Sequence, residues 1–234
     1  MMQMTGMRMT VFVGVAFVAL IGAGCSGSKV TAKSSNELPR YQIRTIALAP
    51  FTTLATPQVR DPGDPFMSTP QSVRRSDISI GVQSNVEPQQ RQTVTVPGYA
   101  AEKITQLFWT RLRNRPGVAV SSPSDSGQVA VSLSGELAKN TPEAIAAALA
   151  KKLNRDAALI GQVLVYQERV GSRLGASPPA SVGFEVKVVA ADGQVLWVGN
   201  YYERQRPMTE DVMGFLQRWG AFVTAEELAQ YGVD

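Results

Sequence analysis

The chain has 234 residues, of which 44% are apolar and 18% are charged, a composition typical of a globular protein with a hydrophobic core. The formal net charge is +4, but the lysines and arginines are scattered and no nucleic-acid-binding motif is present, so we expect no nucleic-acid partner. The absence of histidine excludes a His-based catalytic triad and His-ligated zinc, and the single cysteine excludes intrachain disulfides and cysteine-rich metal sites. We therefore expect no metal and no cofactor, and only carboxylate chemistry is left open.

Residues 1–24 have the pattern of a secretory signal peptide. A single positive charge, Arg8, precedes an apolar run over residues 11–21, and small residues follow it. A membrane-spanning helix needs about 20 apolar residues, so the pattern favours a cleaved leader over a permanent anchor helix.

The leader ends at the only cysteine, Cys25. Ala23, Gly24 and Cys25 resemble the bacterial lipobox, Leu-Ala/Ser-Gly/Ala-Cys, although Gly22 stands where leucine is usual. The resemblance implies a diacylglycerol and an amide-linked acyl group on Cys25, and several acyl chains together anchor a protein firmly. The alternative is ordinary cleavage near Ala23 with an incidental cysteine.

The residue after the cysteine is Ser26. By resemblance to lipoprotein sorting, aspartate there would favour the inner membrane, so serine favours the periplasmic face of the outer membrane. The following residues are small and polar without periodicity, so residues 25–40 are predicted to form a flexible tether. Residues 41–234 are then a single domain.

The first half of this domain contains an unusual insert. Residues 45–51, TIALAPF, predict a buried strand. Residues 52–98 contain six prolines and exceed the usual length of an unstructured connection, so we expect this insert to be functional or disordered, with an edge strand at residues 92–96. The apolar spacing of residues 100–115 then predicts a helix, with Trp109 beside its apolar stripe.

Strands dominate the second half. Residues 118–121 and 128–133 are strand candidates, and Thr141 caps a helix. Residues 157–167 predict a central strand, residues 182–188 a half-exposed strand, and residues 195–201 its hairpin partner. Two helices follow, one capped by Thr209 and carrying Val212, Phe215, Leu216 and Trp219, the other starting with a capping box at residues 224–227. The predicted fold class is α/β, with a mixed β-sheet packed by helices.

Two short motifs resemble the CsgG-like family. The first, ADxxxxGxV on a strand, is matched by Asp156, Ala157, Gly161 and Val163, and the second, D-x-G-x-x-x-W in a hairpin, by Asp192, Gly193 and Trp197. This family includes the curli secretion lipoprotein, and similar domains occur at the amino terminus of TolB and in penicillin-binding-protein activator lipoproteins. The resemblance covers residues 44–51 and 99–203 and implies a CsgG-like fold. The matched residues also have structural interpretations: close packing at glycine, a turn, and a buried ring.

The leading functional hypothesis is a non-catalytic envelope lipoprotein that acts as an assembly, secretion or regulatory adapter. Its expected partners are membrane lipid, through acylated Cys25, and envelope proteins or further copies of itself. Candidate contact residues are Trp109, Tyr201 and Tyr202, together with the insert and the loop at residues 171–179. A membrane pore is less favoured, because the insert lacks a pair of ten-residue amphipathic strands.

Two alternatives are open. A small-ligand or peptide-binding module could use the aromatic residues Trp197, Tyr201, Tyr202 and Trp219 to line a groove. A carboxylate-dependent glycan hydrolase would need two of Glu168, Glu185 and Glu203 about 5 to 9 Å apart. Solvated strand faces, with Lys187 and Arg204 as cross-strand partners, are the favoured explanation of these glutamates.

Overall fold

The structure is a computed structural model that describes residues 30–55, 58–61, 64–70, 93–137 and 140–234. Its strands are β1 Val30–Ser34, β2 Thr45–Leu48, β3 Thr52–Thr53, β4 Gln58–Asp61, β5 Asp64–Pro70, β6 Thr93–Val94, β7 Ala119–Ser121, β8 Ala157–Gln167, β9 Ser181–Ala190 and β10 Val195–Arg204. Its helices are α1 Gly98–Leu112, α2 Pro123–Glu136, α3 Pro142–Lys152, α4 Val212–Leu216 and α5 Ala225–Val233, with a 3-10 helix at Leu38–Arg40. The predicted signal peptide and Cys25 lie outside the described residues.

The main sheet has seven strands in the order β1-β10-β9-β8-β2-β7, and β3 also pairs with β8. Pairing is antiparallel from β1 through β10 and β9 to β8, whereas β2 is parallel to both β8 and β7. A second, three-stranded sheet has the order β5-β4-β6. Helices pack on both faces of the main sheet, so the predicted α/β class with a mixed sheet is confirmed.

One face of the main sheet is covered by α1 and α5, and we call it the α1/α5 face. Ile104 and Phe108 of α1 and Leu228 of α5 are buried there against Phe184 of β9. The rings of Phe108 and Phe184 meet edge to face, with centroids 5.7 Å apart. Because these α1 residues recur at helical spacing, the predicted apolar stripe is confirmed.

The opposite face is covered by α2 and α3, and we call it the α2/α3 face. Its core is rich in alanine: Ala146 and Ala150 of α3 pack with Ala158 of β8 and Val189 of β9. Small side chains allow a helix to approach a sheet closely. The helix starts as predicted, since the Thr141 hydroxyl accepts a hydrogen bond from the Ala144 amide at 3.3 Å.

The predicted strand at residues 128–133 is wrong, because this segment lies inside α2. Pro123 occupies the first turn, and the Ser122 side chain caps the helix by accepting from the Asp125 amide. The alternation that suggested a strand does not match the burial, since Val131 is 76% exposed while Leu133 is buried. A capped helix start outweighs a short alternating pattern here.

The predicted tether is corrected from Val30 onward. Residues 30–34 form β1, which pairs antiparallel with β10 at the edge of the main sheet. All five residues of β1 are exposed, so backbone hydrogen bonds rather than side-chain burial hold it in place. The sequence pattern gave no sign of it, because apolar periodicity reports only side-chain burial.

The insert also contains described strands. Thr52–Thr53 extends the main sheet beside β8, while Gln58–Asp61, Asp64–Pro70 and Thr93–Val94 form the second sheet. The predicted edge strand at residues 92–96 thus corresponds to the shorter β6. Along the described residues, no helix is long and apolar enough to cross a membrane.

The predicted helix at Thr209 begins later and ends earlier. Asp211 caps α4, and its carboxylate accepts a hydrogen bond from the Gly214 amide at 2.8 Å. The helix stops after Leu216, and Trp219 adopts a left-handed backbone with φ of 57°. Trp219 therefore does not continue the apolar stripe into the core.

Candidate functional site

The segment after β10 is fixed to the sheet by a buried polar network on the α1/α5 face. The Glu203 carboxylate pairs with the Arg218 guanidinium and lies 2.7 Å from the Tyr201 hydroxyl. Arg218 also donates to the Gly214 carbonyl at 2.7 Å, and its guanidinium lies 5.2 Å from the Tyr231 ring centroid. Burial raises the pKa of Tyr201 and lowers that of Arg218. This network holds α4 in one orientation.

A second buried contact comes from Gln205, which is fully buried. Its side-chain amide donates to the Ala221 carbonyl at 2.7 Å and accepts from the Val223 amide at 2.8 Å. The backbone between α4 and α5 is thereby attached to the end of β10. Two independent polar anchors hold this short segment, although α4 has only five residues.

Most apolar side chains of this segment point outward. Trp219 is 93% exposed, and the 92% exposed Leu174 lies on the loop between β8 and β9. We define the carboxyl-terminal apolar patch as Leu174, Met208, Val212, Met213, Leu216 and Trp219.

Backbone contacts connect the two parts of the patch. The Phe222 amide donates to the Arg173 carbonyl at 2.8 Å, so the loop that carries Leu174 is attached to the segment just after Trp219. The Arg169 guanidinium donates to the Phe222 carbonyl. Beneath this junction the rings of Phe215 and Phe222 pack with centroids 5.4 Å apart.

A cleft lies on the α2/α3 face. It has a volume of about 330 Å³ and is lined by Ala49, Pro50, Thr52, Ala130, Ser134, Asn140, Pro142, Ile145, Ile160, Gly161, Gln162, Glu185 and Lys187. At its floor the Lys187 ammonium lies 2.9 Å from the Glu143 carboxylate and 3.0 Å from that of Glu185. The hydrogen bond to Glu143, followed by that to Glu185, raises the pKa of Lys187. The cleft therefore combines apolar walls with one cation between two carboxylates.

The structure places the contact residues predicted from the sequence in different environments. Tyr202 is 44% exposed and lies over Gly183, where an added Cβ would meet its ring at 3.0 Å. Trp109 is half-buried and packs against the core. Tyr201 is only 3% exposed, so its side chain is inside the protein rather than at the surface. The predicted groove lining is corrected in the same way, because Trp197 packs against the core and Trp219 points to solvent.

The three glutamates of the hydrolase alternative do not converge. Glu203 stands opposite Val182 in the β9–β10 ladder, and both side chains lie on the α1/α5 face. Glu185 is an odd number of residues from Val182 on the same strand, so it points to the opposite face. Glu168 accepts a hydrogen bond from the Ala225 amide at 3.0 Å, at the start of α5. The positions of these three glutamates therefore do not support a pair of catalytic carboxylates.

The aspartates of the two family motifs have structural partners. Asp156 accepts hydrogen bonds from the amides of Arg44 and Thr45, at 3.0 and 2.8 Å, and from the Thr45 hydroxyl at 2.8 Å. These bonds, the Arg44 amide first, lower the pKa of Asp156. Asp192 accepts from the Gln194 amide and the Tyr41 hydroxyl. Within the described residues, no group of three or more acidic or cysteine side chains could hold a metal ion.

The apolar patch was missed by sequence reasoning. The sequence places its members at positions 212, 216 and 219 on a predicted helix capped by Thr209. The buried residues of this segment are Gly214 of α4 and Arg218 just after the helix. The side of the segment that faces the core carries a glycine and an arginine. Apolar periodicity in the sequence cannot identify such a side as buried.

No family model matches the chain, and no curated protein is similar to it in sequence. Solved structures are similar at low identity. The PelC dodecamer from Paraburkholderia phytofirmans has a TM-score of 0.42 and 11% identity, covering 87% of this chain and 90% of that chain. Lipoprotein GNA1162 from Neisseria meningitidis has a TM-score of 0.38 and 14% identity, covering 75% and 92%. The LpoB C-terminal domain from Salmonella enterica has a TM-score of 0.35 and 9% identity, covering 70% and 85%.

The similar structures thus include a bacterial lipoprotein. The resemblance to the CsgG-like family remains a prediction.

Proposed function

We propose that the chain is a membrane-anchored envelope lipoprotein that acts without catalysis, as an assembly, secretion or regulatory adapter on the periplasmic face of the outer membrane. The lipidation signal that ends at Cys25 carries this proposal. An apolar run of 11 residues is too short to span a bilayer, and it places the cysteine where a lipoprotein leader is cleaved.

The start of the fold supports a position close to the membrane. Strand β1 begins at Val30, five residues after Cys25. Five residues of fully extended chain span at most about 18 Å. Acyl chains on Cys25 would therefore hold the edge of the main sheet near the lipid headgroups, where the domain meets other envelope components.

The outer part of the α2/α3 face supports a contact function. Tyr202 and Asn200 of β10 are exposed there, and Gln162 of β8 is exposed at the rim of the cleft. An exposed tyrosine beside polar side chains is typical of protein contact surfaces. Partner proteins or further copies of this chain are the expected occupants of this surface.

The anchor is tested by metabolic labelling with an alkyne fatty acid. The wild-type protein should carry the label and sediment with membranes, whereas Cys25→Ser should lose both properties. The matched control is Ser26→Ala, which leaves the cysteine intact and should keep the label. Label that persists in Cys25→Ser would contradict the anchor.

The adapter role is tested by a photo-crosslinking amino acid placed at position 202 in living cells. A discrete crosslinked protein, or a crosslinked dimer of this chain, is the expected product. The control position is Gln106, an exposed residue of α1. Equal and diffuse crosslinking from positions 202 and 106 would argue against a specific contact at this face.

The second candidate function is a small-ligand or peptide-binding module, and the cleft favours it. Its apolar walls and the Glu143–Lys187–Glu185 cluster, which carries a net negative charge, would suit a ligand with one cationic group. A library of cationic peptides and metabolites, screened by thermal shift, should yield a ligand that Glu185→Gln no longer binds. Ligands that bind both proteins equally would exclude the cleft.

A further inference from the structure

The carboxyl-terminal apolar patch consists of six exposed apolar side chains on two segments that are joined by a backbone hydrogen bond. In addition to Trp219 and Leu174, Met213 is 68% exposed and Leu216 is 58% exposed. Single exposed apolar residues are common on soluble proteins, but adjoining ones indicate a site of contact with protein or membrane.

The segment that carries most of the patch is attached to the rest of the fold by buried polar contacts. Gly214 of α4 and Arg218 just after the helix are buried, and the Arg218 guanidinium donates a hydrogen bond to the Gly214 carbonyl. A Cβ added at Gly214 would overlap the Asp211 carboxylate, so the turn into α4 is tightly closed. The patch could therefore enter the headgroup region of a membrane without refolding of the segment that carries it.

The register of the sheet places the patch at the end where the chain enters from Cys25. Val30, the first residue of β1, is paired with Tyr201, near the end of β10. The patch segment begins only a few residues after β10, and the loop that carries Leu174 follows the end of β8. Because β8 and β10 run in the same direction, both connections leave the sheet at this end.

Chain length limits how far this end can be from the lipid. At most about 18 Å of extended chain separates Cys25 from Val30. Tethering at so short a distance gives the patch a high effective concentration at the bilayer surface, which a free partner protein does not have.

The composition of the patch fits the headgroup region of a bilayer. Tryptophan is favoured at that depth, because its ring is apolar and its N–H can bond to water or headgroups. Arg173 is exposed beside Leu174, and Arg206 is exposed just before the patch segment, against one exposed acidic residue, Glu210. Arginines at the rim of an apolar surface attract anionic phospholipids.

We propose that the carboxyl-terminal apolar patch inserts into the headgroup region of the membrane and fixes the orientation of the domain. The patch is a second, non-covalent contact beside the lipid on Cys25. This inference rests on the lipid anchor of the proposed function, and it leaves the outer part of the α2/α3 face free for partners.

The test uses the full mature lipoprotein, purified in detergent and reconstituted into vesicles of phosphatidylethanolamine and phosphatidylglycerol with brominated acyl chains. Bromine quenches tryptophan fluorescence at short range, and the chain has three tryptophans, at positions 109, 197 and 219. Brominated vesicles should quench the wild-type emission relative to unbrominated ones. Trp219→Phe should lose most of this quenching, and the control Trp109→Phe should keep it.

Absence of quenching in the wild-type protein would overturn the patch proposal, whether or not the protein floats with vesicles. Quenching that persists in Trp219→Phe would also overturn it. Flotation is the separate readout for the anchor, and Cys25→Ser should abolish it. Leu174→Ser provides a second variant: it should reduce the quenching of Trp219 while leaving the thermal unfolding temperature unchanged, because the Leu174 side chain has no packing to lose.

Discussion

The Glu203 carboxylate and the Arg218 guanidinium form an ion pair inside the protein, with side chains only 3% and 5% exposed. Glu203 belongs to β10, and Arg218 follows α4, so the pair joins the sheet to the segment that carries the apolar patch. Buried charges are costly unless they are paired, and the hydroxyl of Tyr201 adds a further contact to this carboxylate.

Glu203→Gln should destabilise the domain strongly. Removing one partner of a buried pair leaves the other charge uncompensated, which costs about 3 to 5 kcal/mol. Urea unfolding measures the free energy. The exposed pair of Arg111 and Asp234 is the control, and Asp234→Asn should change stability by less than about 1 kcal/mol. Equal effects of the two variants would contradict the buried pair.

Asp156→Ala should destabilise the junction of β2 and β8, because two amides and a hydroxyl lose their acceptor. A loss of about 1 kcal/mol is expected at neutral pH, because Asp156 is exposed and water replaces part of the lost hydrogen bonds. The folded-state pKa of Asp156 is lowered, so its contribution is present above the unfolded pKa of about 3.9 and is lost as the pH falls through the folded value.

The difference in unfolding free energy between the wild type and Asp156→Ala should therefore shrink in acid. Urea titrations from pH 6 to pH 3 measure it. A difference that stays constant over this range would show that the charge of Asp156 is not the source of the effect.

Gly161→Ala should destabilise the sheet. An added Cβ would overlap the ring of Phe51, and overpacking in a core costs about 1 to 3 kcal/mol. Gly135→Ala is the control: its Cβ would meet nothing within 4 Å, and alanine favours a helix by up to about 1 kcal/mol. The two variants should change the urea midpoint in opposite directions.

Asp211→Ala should weaken α4, since its carboxylate caps the Gly214 amide. Loss of a helix cap costs about 1 kcal/mol. Thr209→Ala, at the cap expected from the sequence, should change stability by less than about 0.5 kcal/mol. Differential scanning calorimetry compares them. A larger effect at Thr209 would support the helix start that the sequence predicts over the one in the structure.

The sequence predicted the main elements where local signals are strong. β8 spans the predicted residues 157–167, the Asp192-Gly193 turn joins β9 to β10, and Thr224 and Glu227 form the predicted capping box. Each signal depends on residues close together in the chain: an apolar run, a turn dipeptide, or reciprocal hydrogen bonds three residues apart.

The sequence alone thus determined the α/β class and assigned one chemical role, the lipidation predicted at Cys25. The tertiary structure decided the rest of the candidate surfaces. Tyr201 was expected at the surface but is buried, because its register opposite Phe184 turns it towards the core. Trp219 is predicted to lie on a helix but is exposed, because Arg218, which is buried against Glu203 of the preceding strand β10, takes the inner side of the segment. Such choices depend on contacts between residues far apart in the chain, and periodicity reports only on neighbours.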